Sequence, residues 1–103
     1  MDWMVIILKI SEISKLLSKF GLDLTLKGTQ TLLVCVCEYH KRATITKAAK
    51  PLEVMEDYAR FAGLRRDSVY KRIGYALRCA GLRMGPCAAV RYFTALGRFV
   101  GVL

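Results

Sequence analysis

Residues 51–80 read PLEVMEDYARFAGLRRDSVYKRIGYALRCA, and the fold turns on this stretch. Pro51 suits the first turn of a helix, where its missing N–H would have no partner. Leu52, Met55, Ala59 and Ala62 then recur at helical spacing, and Gly63 ends the run. After Leu64, Arg65 and Arg66, Asp67 is placed to cap a second helix over Ser68 to about Ala80. At 3.6 residues per turn, Val69, Ile73, Ala76, Leu77 and Ala80 share one apolar side. Lys71 and Arg78 stand opposite, with Ser68 and Tyr75 on one shoulder and Gly74 on the other.

Two helices joined by a short Gly-containing turn form the layout of a helix-turn-helix, whose second helix enters the DNA major groove. In that docking Lys71 and Arg72 lie in the first turns, where side chains meet base edges, and Arg65 and Arg66 lie nearer the phosphates. Ser68, Tyr70, Tyr75 and Arg78 complete the candidate set. A mid-helix glycine costs roughly 1 kcal/mol relative to alanine, so Gly74 marks close approach to DNA, tight helix packing or simple drift.

Working toward the N-terminus, Lys41–Lys50 is polar and basic and reads as a loop, with a short extended or helical piece around Thr44–Ala48. Before it, Thr29–His40 carries Leu32, Leu33, Val36 and Cys37 and reads as a buried helix, though β-branched enough to imitate a strand. A connection over Leu22–Gly28 separates it from an amphipathic helix at about Ser11–Phe20, in which Ile10, Ile13, Leu16, Leu17 and Phe20 recur and Gly21 caps. Residues 1–9 form an N-terminal arm. Toward the C-terminus, Gly81 and Gly85-Pro86 break the chain before a last helix, about Cys87–Val100, with Ala89, Phe93, Leu96 and Val100 on one side. No internal repeat and no strand pair stands out. The expected architecture is all-α, about five helices in a single domain over residues 1–103.

Composition supports a folded domain: 103 residues are enough for one core, and 54% are hydrophobic. Seventeen Lys and Arg against eight Asp and Glu give a net charge of +9. From Arg60 to Leu103 there are nine basic residues (60, 65, 66, 71, 72, 78, 83, 91 and 98) and one acid, Asp67, so that stretch carries +8. Such asymmetry favours a polyanion partner, because each neutralised phosphate releases condensed counterions. The four cysteines come without a secretory signal, since Asp2 precedes the apolar run Trp3–Leu8 and no small-residue cleavage site follows. No stretch approaches the roughly 20 apolar residues that span a bilayer. A cytoplasmic protein with reduced, mostly buried thiols is expected.

Catalytic and metal chemistry find no support. Cys35 and Cys37 of the Cys-x-Cys-x-x-His run point about 200° apart on a helix and cannot both ligate one ion. His40 is the only histidine and has no evident nucleophile and orienting group around it. Glu53, Glu56 and Asp57 fall in the first turns of their helix, where carboxylates favour the positive end of the dipole.

The chain also resembles a known family, the C-terminal DNA-binding effector domain of the response regulator that initiates sporulation in endospore-forming bacteria. Residues 13–32, ISKLLSKFGLDLTLKGTQTL, are similar without gaps to its Ile-led helix, Gly turn and hydrophobic-Lys-Gly step, carried by Ile13, Leu16, Gly21, Leu26, Lys27, Gly28 and Leu32. Residues 54–77, VMEDYARFAGLRRDSVYKRIGYAL, look like its helix-turn-helix, with Asp57, Ala59, Val69, Ile73 and Ala76 in register. The family reads bases with an Arg-x-Glu-Arg run, and the matching positions here are Ser68, Tyr70 and Lys71, of which Lys71 keeps its character. After Gly81 the match weakens: the link Leu82–Pro86 is shorter and lacks the family's polar Pro-Thr-Asn entry to the last helix, which makes its dimer contacts. The family-like part, about residues 11–81, is expected to work without the family's phosphoacceptor receiver domain.

The resemblance implies a bacterial transcription regulator related to sporulation control that binds double-stranded DNA without enzymatic activity, cofactor or metal. A homodimer on DNA, and contact with RNA polymerase or another regulator, are the further partners it admits. Two other readings stay open. One is a protein-interaction module using Trp3, Val5, Ile6, Ile7 and Leu8 as a docking arm, unless these pack on their own domain. The other is attachment of the last helix, where Arg91 and Arg98 share a face, to an anionic membrane; its Ala, Thr and Gly content argues against this.

Overall fold

A computed structural model describes residues 3–103, with side chains from Ile10 onward. It is all-α, with five helices in the order α1 (Trp3–Lys19), α2 (Lys27–Ile45), α3 (Pro51–Ala62), α4 (Arg66–Cys79) and α5 (Pro86–Phe99). Helices α2 and α5 each pack against every other helix, whereas among the described residues α1 packs only against α2 and α5. The core between them is built from Ile13 and Leu17, Leu32 and Val36, Met55, Ile73 and Leu77, and Phe93. Edge-to-face contacts join Phe20, Tyr92 and Phe93, with centroids 5.2–5.8 Å apart.

Four of the five helices end the same way. Gly21, Gly63, Gly81 and Gly101 all have φ between 69° and 85°, a conformation glycine adopts without steric cost. In each case the glycine N–H bonds back to a last-turn carbonyl, and the next residue (Leu22, Leu64, Leu82 or Val102) donates its N–H five residues back, at 2.8–3.2 Å. That is the Schellman geometry. The ending has a sequence signature: Arg-x-Ala-Gly-Leu-Arg occurs at 60–65 and again at 78–83, and Arg98-Phe-Val-Gly-Val repeats its outline. Arginine in the last turn of these helices also suits the negative end of the helix dipole.

Several boundaries move. The backbone of the expected arm is helical from Trp3, so residues 3–9 open α1; whether Trp3, Val5, Ile6, Ile7 and Leu8 pack or dock concerns side chains outside the described residues. Helix α2 continues through the expected loop to Ile45 because Arg42 holds Glu38 one turn back at 3.1 Å and Asp57 of α3 at 2.7 Å. The chain then turns extended at Thr46 and Lys50, as the residue before a proline requires. The buried face of α3 is Pro51, Val54, Met55 and Ala59, leaving Leu52 and Ala62 exposed. Val100 lies past the end of α5 and is exposed too. Cys35 is buried, and burial pushes its thiol up to about 12, but Cys79 is exposed rather than buried.

Gly28 shows why the Lys-Gly step opens α2. A Cβ on this buried residue would stand 1.9 Å from the Arg72 carbonyl oxygen and 3.0 Å from the Ala76 methyl. The first turn of α2 therefore lies directly on the backbone of α4, and a side chain would force the two apart.

Candidate nucleic-acid interface

Helix α4 follows α3 after the three residues Gly63, Leu64 and Arg65. Arg65 is its extended N-cap, and the Arg65 carbonyl accepts the N–H groups of Ser68 at 3.1 Å and Val69 at 3.2 Å. The helix thus begins ahead of Asp67, which corrects its expected capping role: Asp67 lies inside the first turn, exposed, and makes no cap bond. Val69, Ile73 and Ala76 are fully buried and Leu77 nearly so. That anchoring turns the opposite stripe of α4, Asp67, Lys71, Gly74, Tyr75 and Arg78, toward solvent.

The expected DNA-binding residues do not all share one environment. Lys71 and Arg78 are exposed, and Tyr75 between them is 55% exposed. Tyr75 lies beside Cys79, and the hydrogen bond and charge of that thiol raise the phenol above its ordinary value. Arg72 is half-buried, its backbone beneath Gly28, and Ser68 is half-buried as well. Tyr70 is exposed on the flank of the helix, where its hydroxyl would lie 3.5 Å from a Cβ at Gly85. Arg65 and Arg66 line an open groove of about 500 Å³ with Glu56, Arg60 and Asp67. Arg66 is engaged there, donating to Glu56 at 3.0 Å.

Gly74 is not a packing glycine. Among the described residues the only neighbour a Cβ would meet is the Arg78 guanidinium, at 3.5 Å, which is ordinary contact. Tight helix packing, open as an explanation from the sequence, is removed.

The cations of the second half divide into two sets. Arg60 pairs with Asp57, Arg66 pairs with Glu56, and Arg98 donates its Nε–H to His40 Nδ1 at 2.9 Å. The Arg66 and Arg98 contacts tie helices to one another, whereas Arg60 and Asp57 both belong to α3. Arg65, Lys71, Arg72, Arg78, Arg83 and Arg91 form no ion pair among the described residues. Four of these six belong to α4 and its N-cap. The carboxylates of α3 are accounted for by the same network. Glu53 is in the first turn as expected, but Glu56 and Asp57 serve as ion-pair partners rather than as dipole complements. Hydrogen bonds from Arg42 and then Arg60 hold the Asp57 carboxyl below its ordinary value.

Among the described residues no three His, Cys, Asp or Glu side chains gather where a metal ion could be held, and no helix is long and apolar enough to cross a membrane. The outward face of α4 thus carries Asp67, the hydroxyl of Tyr75, and the cations Lys71 and Arg78, which form no ion pair among the described residues. Compared with known proteins, the chain matches no family model, and neither a curated sequence nor a solved structure is found similar to it.

Proposed function

We propose that this protein is a sequence-specific double-stranded DNA-binding regulator of transcription, kin to the effector domains of sporulation-initiation response regulators, in which α3, its turn and α4 act as a helix-turn-helix. One observation carries the reading: Lys71 and Arg78 project from the outward face of α4, flanking Tyr75, without an intramolecular carboxylate partner among the described residues. Arg42, Arg60 and Arg66 are engaged by carboxylates of the fold, whereas Lys71 and Arg78 are not, which supports an external anion as their partner. A helix with such a face fits the major groove, and the unpaired Arg65 at its entry suits a flanking phosphate. Work in the bacterial cytoplasm, as a homodimer on DNA or together with RNA polymerase or another regulator, belongs to the same proposal.

The test is selection of bound sequences from a random duplex library with the full chain. Enrichment of a short motif, with affinity falling steeply as salt rises, is expected. Binding with no enriched motif would refute sequence-specific regulation.

A second reading has its own support. Phe61 is 90% exposed and Phe99 88% exposed, far beyond what core packing explains, and exposed aromatics suit protein contacts. A protein-interaction module would use these residues. Phe61→Ala and Phe99→Ala would then leave DNA selection intact and abolish association with the partner regulator.

A further inference from the structure

Asp67 is the only acid between Arg60 and the C-terminus. Its expected structural task, capping α4, is performed by the Arg65 backbone instead. Among the described residues its carboxylate has no ion pair and no hydrogen bond. Favourable interaction with the helix dipole remains, but any first-turn position off the outward face would provide that equally well. At 100° per residue Asp67 falls within about 40° of both Lys71 and Arg78 on the wheel. Read from the N-terminus, the outward face of α4 is therefore a carboxylate, an ammonium, a phenol beside a bare Gly74, and a guanidinium.

A lone carboxylate on such a face is costly for nonspecific binding, because it repels every phosphate it nears. It gains only from a donor that some sequences present and others lack. In the major groove the cytosine N4 and adenine N6 amino groups are donors, but adenine sets its N7 acceptor beside N6, and guanine O6 and N7 and thymine O4 are acceptors that would repel a carboxylate. The first turn of a groove-bound helix is where side chains reach base edges.

We infer that Asp67 is a specificity-determining residue of the DNA interface, accepting a hydrogen bond from the N4 amino group of a cytosine and rejecting guanine and thymine at that position. The inference rests on the DNA-binding reading above and adds to it which base the leading turn selects. Lys71, one turn further on, then donates to an acceptor on the neighbouring pair.

Parallel selection from one random duplex library with the wild-type chain, Asp67→Ala and Asp67→Asn tests this, with melting temperatures of all three as the folding control. The wild type should enrich cytosine at one fixed position by roughly tenfold over guanine or thymine. Asp67→Ala should flatten that column alone while binding unselected duplex more tightly. Asp67→Asn should move the same column toward adenine, whose N6 and N7 an amide can bridge. Because Asp67 caps nothing, both variants should melt within about 5 °C of the wild type. A wild-type motif whose every column survives Asp67→Ala would overturn the base-reading role and leave the DNA-binding reading standing. No motif for the wild type would overturn both.

Discussion

Replacing Gly74 with alanine should make the protein more stable and a poorer DNA binder. A glycine in a helix interior costs roughly 1 kcal/mol relative to alanine through backbone entropy. The gain is recovered only if the new methyl meets no obstacle. At position 74 it meets the Arg78 guanidinium at 3.5 Å and nothing else within 4 Å, and that guanidinium ends a flexible, exposed side chain. The half-exposed site adds little apolar burial, so the expected stabilisation is about 0.5–1 kcal/mol. For a domain of about 100 residues this raises Tm by roughly 2–8 °C, read by circular dichroism at 222 nm and checked in urea, where the midpoint should rise with an unchanged slope. The same methyl stands on the face proposed to enter the groove, at the point where the helix backbone is barest, so affinity for the selected site should fall. A Tm that stays or drops would refute the structural reasoning. Raised Tm with unchanged affinity would show that position 74 does not approach DNA.

Gly28→Ala should act in the opposite sense, because its Cβ would collide with the Arg72 carbonyl at 1.9 Å; overpacking of this kind costs about 1–3 kcal/mol or more, and a Tm within about 2 °C of the wild type would contradict the contact. Thr29 is 1% exposed and its hydroxyl has no partner among the described residues, so Thr29→Val should remove an unsatisfied group and raise stability by about 1 kcal/mol in urea denaturation. Asp57 has a folded pKa below its unfolded value of 3.8: its contribution is complete above that value and is lost as pH falls through the folded pKa, so Asp57→Asn should flatten the acid limb of a Tm–pH profile and leave its shape near neutrality unchanged. Lys71→Ala should leave Tm unaltered and weaken binding to the preferred site by about 1–3 kcal/mol with relaxed preference. Arg65→Ala should lower the salt slope by about 1 for all sequences, and Arg66→Ala should lower it less, because Arg66 is held by Glu56 at 3.0 Å.

Much of the fold was legible because its signals are local. Pro51, Gly63 and Gly85-Pro86 fix helix ends through backbone chemistry that needs no tertiary context, and the boundaries of α3 follow from them. The apolar side of α4 was equally readable, since Val69, Ile73, Ala76 and Leu77 follow one helical period. What escaped depends on partners distant in sequence. Residues 41–45 look like loop until Arg42 reaches Asp57, and only that pairing makes helix worthwhile there. On α3, Leu52 and Val54 are equally apolar, and the position of the neighbouring helices decides which is buried. Asp67 was misread for a subtler reason: Asp before Ser-Val is a good capping pattern, but the Arg65 carbonyl starts the hydrogen-bond ladder first. The candidate interface was legible as a set of cations and hydroxyls, while the distinction between paired Arg66 and unpaired Arg65 required the position of Glu56.

That distinction ties stability to the proposed function. Were net charge the only consideration, a surplus of +9 would be spread over the surface to minimise self-repulsion. Instead the carboxylates of α2 and α3 are spent on Arg42, Arg60 and Arg66, which knit α2 to α3 and α3 to the start of α4. Helix α4 keeps Lys71, Arg72 and Arg78 without such partners among the described residues and is held in place by apolar contacts and by the first turn of α2 at Gly28. A cation that stabilises the fold through an ion pair must surrender that pair to meet a phosphate or base. A helix fixed by its buried face can present its charges without that penalty, and its fit to a ligand is set by packing on the opposite side. A change at Gly28 or Ile73 should therefore disturb binding through the angle of α4, although neither residue belongs to its outward face.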